Sequence, residues 1–245
     1  NEAALNFYDR ALALTNPDDL LEKFELHLAR EQIYHFLGRR DEQQVALATL
    51  GNIAAQLAEQ HDLEKRAEVS LRLASYAEAT GDYPNAIAAA DEALHGAQAT
   101  DDKQSEAASY VTSGRALLRQ GNHEEARHNL QKGLAAARNH NFTKLEADSL
   151  RLLGALAYDT GQLELANEYY AQSLPLYETL KNKQGESTVY NNRSIVAISQ
   201  GNLEQALVSL EKAQEIDEAI GDREGRARIL TNLSSLYMDL GDFEM

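Results

Sequence analysis

The chain of 245 residues carries 39 acidic and 23 basic side chains, for a net charge of -16, and contains no cysteine. The absence of cysteine excludes disulfides and thiolate chemistry. So negative a chain disfavours nucleic acids and anionic membranes as partners, although the same charge also serves solubility. With no run of eighteen apolar residues and no secretion signal at its start, we expect no membrane span and a cytoplasmic protein.

Amphipathic segments with helical spacing of their apolar residues follow one another along the chain and predict an all-helical fold. They alternate between first helices, which end at a glycine turn, and second helices, which begin after one. Starting with a second helix, the predicted segments are 2–14, 19–37, 41–60, 63–80, 83–98, 103–120, 123–138, 143–160, 163–179, 183–200, 203–219 and 223–240. The residues from Gly241 onward are predicted to begin another second helix.

Glycines mark an internal repeat. Five of them recur at intervals of 40 residues: Gly81, Gly121, Gly161, Gly201 and Gly241. Gly38 occupies the same position with a small insertion. Glycine adopts the left-handed backbone conformation without a steric penalty, so each one predicts the end of a first helix. Polar residues also recur in register between the hairpins. Asp102, Asn182 and Asp222 are predicted to cap the first helices that follow them.

Small side chains keep register with the glycines. Four of the glycines are followed, five residues later, by an alanine: Ala86, Ala126, Ala166 and Ala206. Five of the glycines are preceded, seven residues earlier, by a small residue: Ala74, Gly114, Gly154, Ser194 and Ser234. Small residues at fixed positions let two helices approach closely, and hairpins that cannot bury their apolar faces alone stack on their neighbours. Glu31 occupies the small position before Gly38, so that hairpin departs from the pattern.

The segment from Gly154 to Ala166 shows the full pattern of a small residue, a turn glycine, a polar residue and alanine. This pattern resembles the tetratricopeptide repeat, in the 40-residue class of kinesin light chains, Pins-type scaffolds and bacterial signalling regulators. The resemblance implies an all-α, right-handed superhelical solenoid of antiparallel helix pairs. We expect a single solenoid over residues 1–245, of about six hairpins and truncated at both ends, as a fragment of a longer protein.

No catalytic or metal-binding constellation is recognisable. Phosphate-binding glycine motifs, a serine nucleophile elbow and the HExxH pair of metalloproteases are missing from the sequence. His123 and His128 lie five residues apart near a helix start, which is not metal-ligand spacing. We therefore predict that the protein is not an enzyme and binds neither metal nor cofactor.

The resemblance places a partner in a concave groove lined by first helices. By periodicity, side chains 13, 10, 9, 6, 3 and 2 residues before each glycine point that way. From them we predict eight partner-binding residues: Arg115, Arg119, Arg151, Tyr158, Asn191, Asn192, Arg228 and Asn232. Arg115, Arg119 and Arg151 would bind acidic groups of the partner. Asn191 and Asn232 would hold the main chain of an extended peptide. The alternative is that the arginines pair with acids of neighbouring repeats.

Two functions follow from this pattern. The first is a protein–protein interaction module that binds a peptide or partner domain in its groove. The second is a sensory or autoinhibitory effector-binding domain of a larger signalling protein, such as an ATPase, a cyclase or a transcription regulator. The partner is a protein or peptide in both, and the sequence leaves the oligomeric state open.

Overall fold

The computed structural model describes residues 2–59 and 63–240. Within these ranges the chain forms twelve α-helices and no strand. The helices are α1 (Glu2–Leu14), α2 (Leu20–Leu37), α3 (Arg40–Glu59), α4 (Leu63–Ala79), α5 (Tyr83–Thr100), α6 (Lys103–Gln120), α7 (His123–His140), α8 (Thr143–Asp159), α9 (Leu163–Thr179), α10 (Lys183–Ser199), α11 (Leu203–Ile220) and α12 (Arg223–Leu240). The boundaries lie within two residues of the predicted ones, so the all-helical prediction is confirmed. The predicted helix start after Gly241 lies outside the described residues.

Contacts between helices group the chain into two compact units, unit 1 (Asn1–Gln120, α1 to α6) and unit 2 (Gly121–Met245, α7 to α12). Within each unit, every helix packs against the next one along the chain. First helices also contact each other, α4 with α6 in unit 1 and α10 with both α8 and α12 in unit 2. Each unit therefore has a side formed by neighbouring first helices. The single solenoid over residues 1–245 stays a prediction.

The described turn glycines adopt the predicted left-handed conformation, with φ from 67° at Gly38 to 85° at Gly121. A second left-handed series, which the sequence reasoning did not predict, lies between the hairpins at Asp101, Asn141, Lys181 and Gly221. The residue after three of these caps the next helix as predicted. Side chains of Asp102, Asn182 and Asp222 accept hydrogen bonds from the backbone three residues further on.

The small residues lie where helices approach most closely. All four alanines after the turn glycines are buried with 0% exposure. At Gly154, an added Cβ would lie 2.5 Å from the Cε1 atom of Tyr170 on α9. Tyr170 is itself only 2% exposed, so the ring has no room to retreat. Ser234, on the last described helix, is the exception, because it is exposed.

The hairpin of α2 and α3 replaces the two small residues by a matched polar pair. Glu31 takes the position before the glycine and is 2% exposed, while Gln43 replaces the alanine after it and is 1% exposed. The Gln43 amide donates to Glu31 Oε1 at 2.7 Å, and Arg72 on α4 donates to Oε2 at 2.8 Å. Both carboxylate oxygens are satisfied, so the hairpin forms despite the departure from the pattern.

Candidate partner-binding faces

Polar side chains link neighbouring first helices of unit 2. The Tyr158 hydroxyl on α8 lies 3.2 Å from the Ser199 hydroxyl on α10. The Asn232 amide on α12 donates to Asn191 Oδ1 on α10 at 2.8 Å. These side chains therefore lie on the side formed by first helices, and their role in partner binding stays a prediction. We call it the first-helix face of unit 2, formed by Arg151, Tyr158, Asn191, Asn192, Ser199, Arg228 and Asn232.

Arg151 is held in place by a buried tyrosine of α9. Its Nε–H donates to the Tyr177 hydroxyl at 3.2 Å, and that hydroxyl donates to Asp148 Oδ1 at 2.5 Å. Lys144 pairs with Asp148 Oδ2 at 2.9 Å. Burial opposes ionisation of Asp148, but Lys144, the tyrosine hydroxyl and Arg151 together lower its pKa, so it stays charged. Within the described chain, Arg151 has no ion pair and its Nη nitrogens have no acceptor, so they remain available to a ligand.

The asparagines combine structural contacts with unused hydrogen-bonding groups. Asn192 lies near the hydroxyl of Tyr170, whose pKa is raised mainly by burial. In the Asn191–Asn232 pair, one amide NH2 group and one carbonyl oxygen are engaged. The NH2 group of Asn191 and the carbonyl oxygen of Asn232 have no other side-chain partner in the described ranges. The pair therefore offers one donor group and one acceptor to a ligand.

The first-helix positions of α10 and α12 bear no carboxylate among the described side chains, although the chain has 39 acidic residues. On α10 these positions are Thr188, Asn191, Asn192, Ile195, Ile198 and Ser199. On α12 they are Arg228, Thr231, Asn232, Ser235 and Met238. The side chain of Asp239 lies outside the described part of the chain. The described side chains at these positions are neutral or positive, and the sequence adds one carboxylate, Asp239, in the same register.

The arginines of unit 1 differ from Arg151. Arg115 on α6 lies 3.5 Å from the carboxylate of Glu78 on α4, and both side chains are half-buried. It follows the alternative prediction, which pairs an arginine with an acid of the neighbouring repeat. Arg119 is exposed and has no ion pair or hydrogen bond with any described residue. Arg228 in unit 2 is likewise exposed.

Sequence reasoning missed the residues that hold this face in shape, above all Tyr177. The signal was a pair of glycines 40 residues apart, Gly185 and Gly225, that do not belong to the turn series. A Cβ at Gly185 would collide with the ring of Tyr177, and a Cβ at Gly225 would collide with the carboxylate of Asp217. Each glycine therefore marks a buried side chain of the preceding second helix.

No group of three or more His, Cys, Asp or Glu side chains in the described ranges is arranged to hold a metal ion. None of the helices there is long and apolar enough to cross a lipid bilayer.

The sequence profile of the tetratricopeptide repeat matches residues 66–139 and 185–245, together more than half of the chain. The chain belongs to the tetratricopeptide repeat family. The resemblance drawn from the spacing of glycines and small residues is thereby confirmed. No curated protein matches the sequence.

Several solved structures share this tetratricopeptide repeat fold. BtubC (BKLC) from P. vanneervenii is 22% identical, with a TM-score of 0.69 over 83% of this chain and 85% of BtubC. NprR in complex with its cognate peptide NprX is 18% identical, with a TM-score of 0.75 over 97% of this chain and 66% of NprR. The Pyrococcus horikoshii signal transduction ATPase with a tetratricopeptide repeat sensor is 18% identical, with a TM-score of 0.69 over 96% of this chain and 39% of the ATPase. At these identities the likeness establishes the fold alone.

Proposed function

We propose that this chain is a protein–protein interaction module that binds a peptide or a partner domain on its first-helix faces. The observation that carries the proposal is the composition of the first-helix face of unit 2. It presents amides, hydroxyls and an arginine with free Nη groups, and the described side chains at its positions on α10 and α12 include no carboxylate, in a chain of net charge -16. Such a surface suits the uncharged main chain and acidic side chains of another protein.

An extended peptide exposes N–H and C=O groups alternately along its main chain, and an asparagine side chain can pair with both. Asn191 and Asn232 supply the free donor group and the free acceptor for this purpose. Arg151, fixed through its Nε by Tyr177, would bind a carboxylate of the ligand with both Nη groups. Tyr158 and Asn192 border these residues, and Arg228 adds a cation on α12.

Unit 1 has separate proposed contacts on its own first-helix side, Arg119 and Arg115 of α6. Arg119 is exposed and unpaired within the described chain, so it can attract an acidic partner. Arg115 would have to share its guanidinium between the ligand and Glu78, which makes it the weaker contact. Among proteins of similar fold, NprR has been solved with a bound peptide, which supports a peptide as the class of ligand.

Selection from a displayed library of random twelve-residue peptides tests the proposal. We expect binders, and we expect their affinity, measured by fluorescence anisotropy, to fall about tenfold in Asn232→Ala, the loss of one or two hydrogen bonds. The matched control is Glu211→Ala, an exposed position of the second helix α11, which should bind like the wild type. Failure to select any peptide, or equal weakening by both variants with folding intact, would contradict the proposal.

A second candidate is an effector sensor within a larger signalling protein. It is favoured by the likeness to an ATPase whose repeats are described as a sensor and of which this chain spans only 39%. A sensor must populate two conformations that bind the effector differently. Hydrogen exchange with and without a selected peptide separates the candidates. Changes confined to first helices favour a simple binding module, and changes spread through second helices favour a sensor.

We also propose a cytoplasmic location, with which the absence of cysteine is compatible. We propose binding rather than catalysis as the protein's role. The net charge of -16 argues against nucleic acid and anionic membranes as partners.

A further inference from the structure

Asp217, close to the end of α11, is a buried carboxyl group without a partner. It is 1% exposed, and neither side-chain oxygen has a hydrogen bond within the described chain. The corresponding residue one repeat earlier is Tyr177, whose hydroxyl reaches Asp148 across the helix pair. The aspartate side chain is shorter than that of tyrosine and makes no such bond. A carboxyl group in this position costs free energy whenever it is ionised.

Helix α12 closes directly over this carboxyl group. Gly225, in the first turn of α12, has no side chain, and a Cβ there would collide with Asp217 Oδ2 and lie 2.8 Å from Asp222 Oδ2. Asp222 caps α12 by accepting the Gly225 N–H at 2.9 Å, and its own N–H donates to the Asp217 carbonyl at 2.9 Å. Two carboxylates thus converge on the start of one helix.

The groups around Asp217 leave it poorly compensated. Burial is the main cause that raises its pKa, and the negative charge of Asp222 raises it further. Against these act the charge of Arg228 on α12, whose side chain is exposed to solvent, and the nearby hydroxyl of Ser187 on α10, which donates to the Ala213 carbonyl and not to Asp217. With 1% exposure, the carboxyl group is out of reach of any partner molecule. A proton is the ligand that can neutralise it.

We propose that Asp217 is a proton-linked latch that tightens the docking of α12 when protonated and loosens it when ionised. Helix α12 carries Arg228 and Asn232 of the first-helix face of unit 2, so the latch would couple pH to partner binding. That coupling rests on the proposed function, whereas the latch itself does not and can be tested without a ligand.

The sign of the effect follows from linkage. Because the pKa of Asp217 is higher in the folded chain than the ordinary aspartate value, the docked state holds more protons between those two values. Docking of α12 is therefore strongest at acid pH. It weakens as pH rises from the ordinary value, about 3.9, through the raised one.

Hydrogen exchange of α12 in the full chain, between about pH 4 and pH 8 and corrected for intrinsic rates, tests the latch. In the wild type, we expect protection of α12 to fall with rising pH, by at most about tenfold per unit for one proton. Asp217→Asn keeps the size of the side chain and removes the charge, so its profile should be flat and its protection at pH 8 higher than that of the wild type.

Two further variants keep the test decisive. Asp217→Ala should also give a flat profile, which separates loss of the charge from any new contact of the amide. Glu211→Gln removes an exposed carboxylate of the same helix and should retain the wild-type profile. The latch is overturned if wild-type α12 shows no pH dependence, or if the Asp217 variants keep it. Neither outcome bears on whether the chain binds peptides.

Discussion

At the scale of single residues, the turns between hairpins place some residues with a Cβ in a strained backbone conformation. Each of these turns needs a left-handed residue, and glycine supplies it at Gly221. Lys181 fills the equivalent position with φ 54°. A residue with a Cβ costs about 1–2 kcal/mol in this conformation, because the Cβ approaches the following carbonyl oxygen. The turn tolerates this strain because the flanking helices fix its ends.

Replacing Lys181 by glycine should therefore stabilise the protein. We expect Lys181→Gly to raise the free energy of unfolding by about 0.5–1 kcal/mol, since relief of the Cβ clash is partly offset by the greater freedom of glycine in the unfolded chain. Urea unfolding followed by circular dichroism measures the change. Lys181→Ala, which keeps the Cβ, is the control and should show no comparable gain. Equal gains in both variants would mean that the lysine side chain, rather than the backbone, is the source of strain.

At the scale of helical elements, the hairpin of α2 and α3 shows how a local departure from the repeat is accommodated. Where other hairpins place two small residues, this one buries Glu31 and Gln43 and joins them by a hydrogen bond of 2.7 Å. Arg72 on the next first helix completes the network, with its side chain 26% exposed. The polar pair thus ties the hairpin to its neighbour as well as closing it.

A double-mutant cycle tests this account of the pair. Glu31→Ala should cost about 3 kcal/mol of unfolding free energy, because it leaves Gln43 and Arg72 without their shared acceptor. Adding Gln43→Ala restores the small pair of the other hairpins, and we expect a coupling energy of about 1–3 kcal/mol between the two sites. Glu25→Ala, on the same helix as Glu31, breaks an exposed ion pair with Lys65 of α4 and should cost less than about 1 kcal/mol. Strictly additive effects of Glu31→Ala and Gln43→Ala would rule out the proposed partnership.

At the scale of the whole molecule, the excess of acidic residues has a general consequence for stability. A net charge of -16 makes the compact state repel itself, and salt screens that repulsion. Many of the ion pairs in the described ranges join neighbouring turns of one helix or lie at the surface, where each contributes little. Screening should therefore relieve more repulsion than it removes attraction.

We accordingly expect the thermal midpoint to rise by several degrees between about 20 mM and about 500 mM sodium chloride. Differential scanning fluorimetry at constant pH measures the shift. A neutral osmolyte at matched osmolality controls for effects that do not depend on charge. A midpoint that falls with salt would show that the ion pairs outweigh the net repulsion.

The eight predicted binding residues show how far sequence reasoning extends toward a site. Periodicity predicts the side of the helix on which Tyr158, Asn191 and Asn232 lie, because the direction of a side chain depends on its position in the helix. In the structure these residues contact neighbouring first helices, while binding of a partner by them stays a prediction. Periodicity could not distinguish Arg115, which pairs with Glu78, from Arg151, which does not pair with an acid directly. That difference depends on partners supplied by other helices.

The sequence by itself determined the helices, their ends and the repeat, because each depends on local chemistry: apolar spacing along a helix, and a glycine that can adopt positive φ. Only the tertiary structure decided that Tyr177 holds Arg151, and that Asp217 is buried without a partner. The first contact joins residues 26 positions apart, and the second feature depends on α12 closing over α11. Such contacts form only when helices pack, so the spacing of residues along one helix does not predict them.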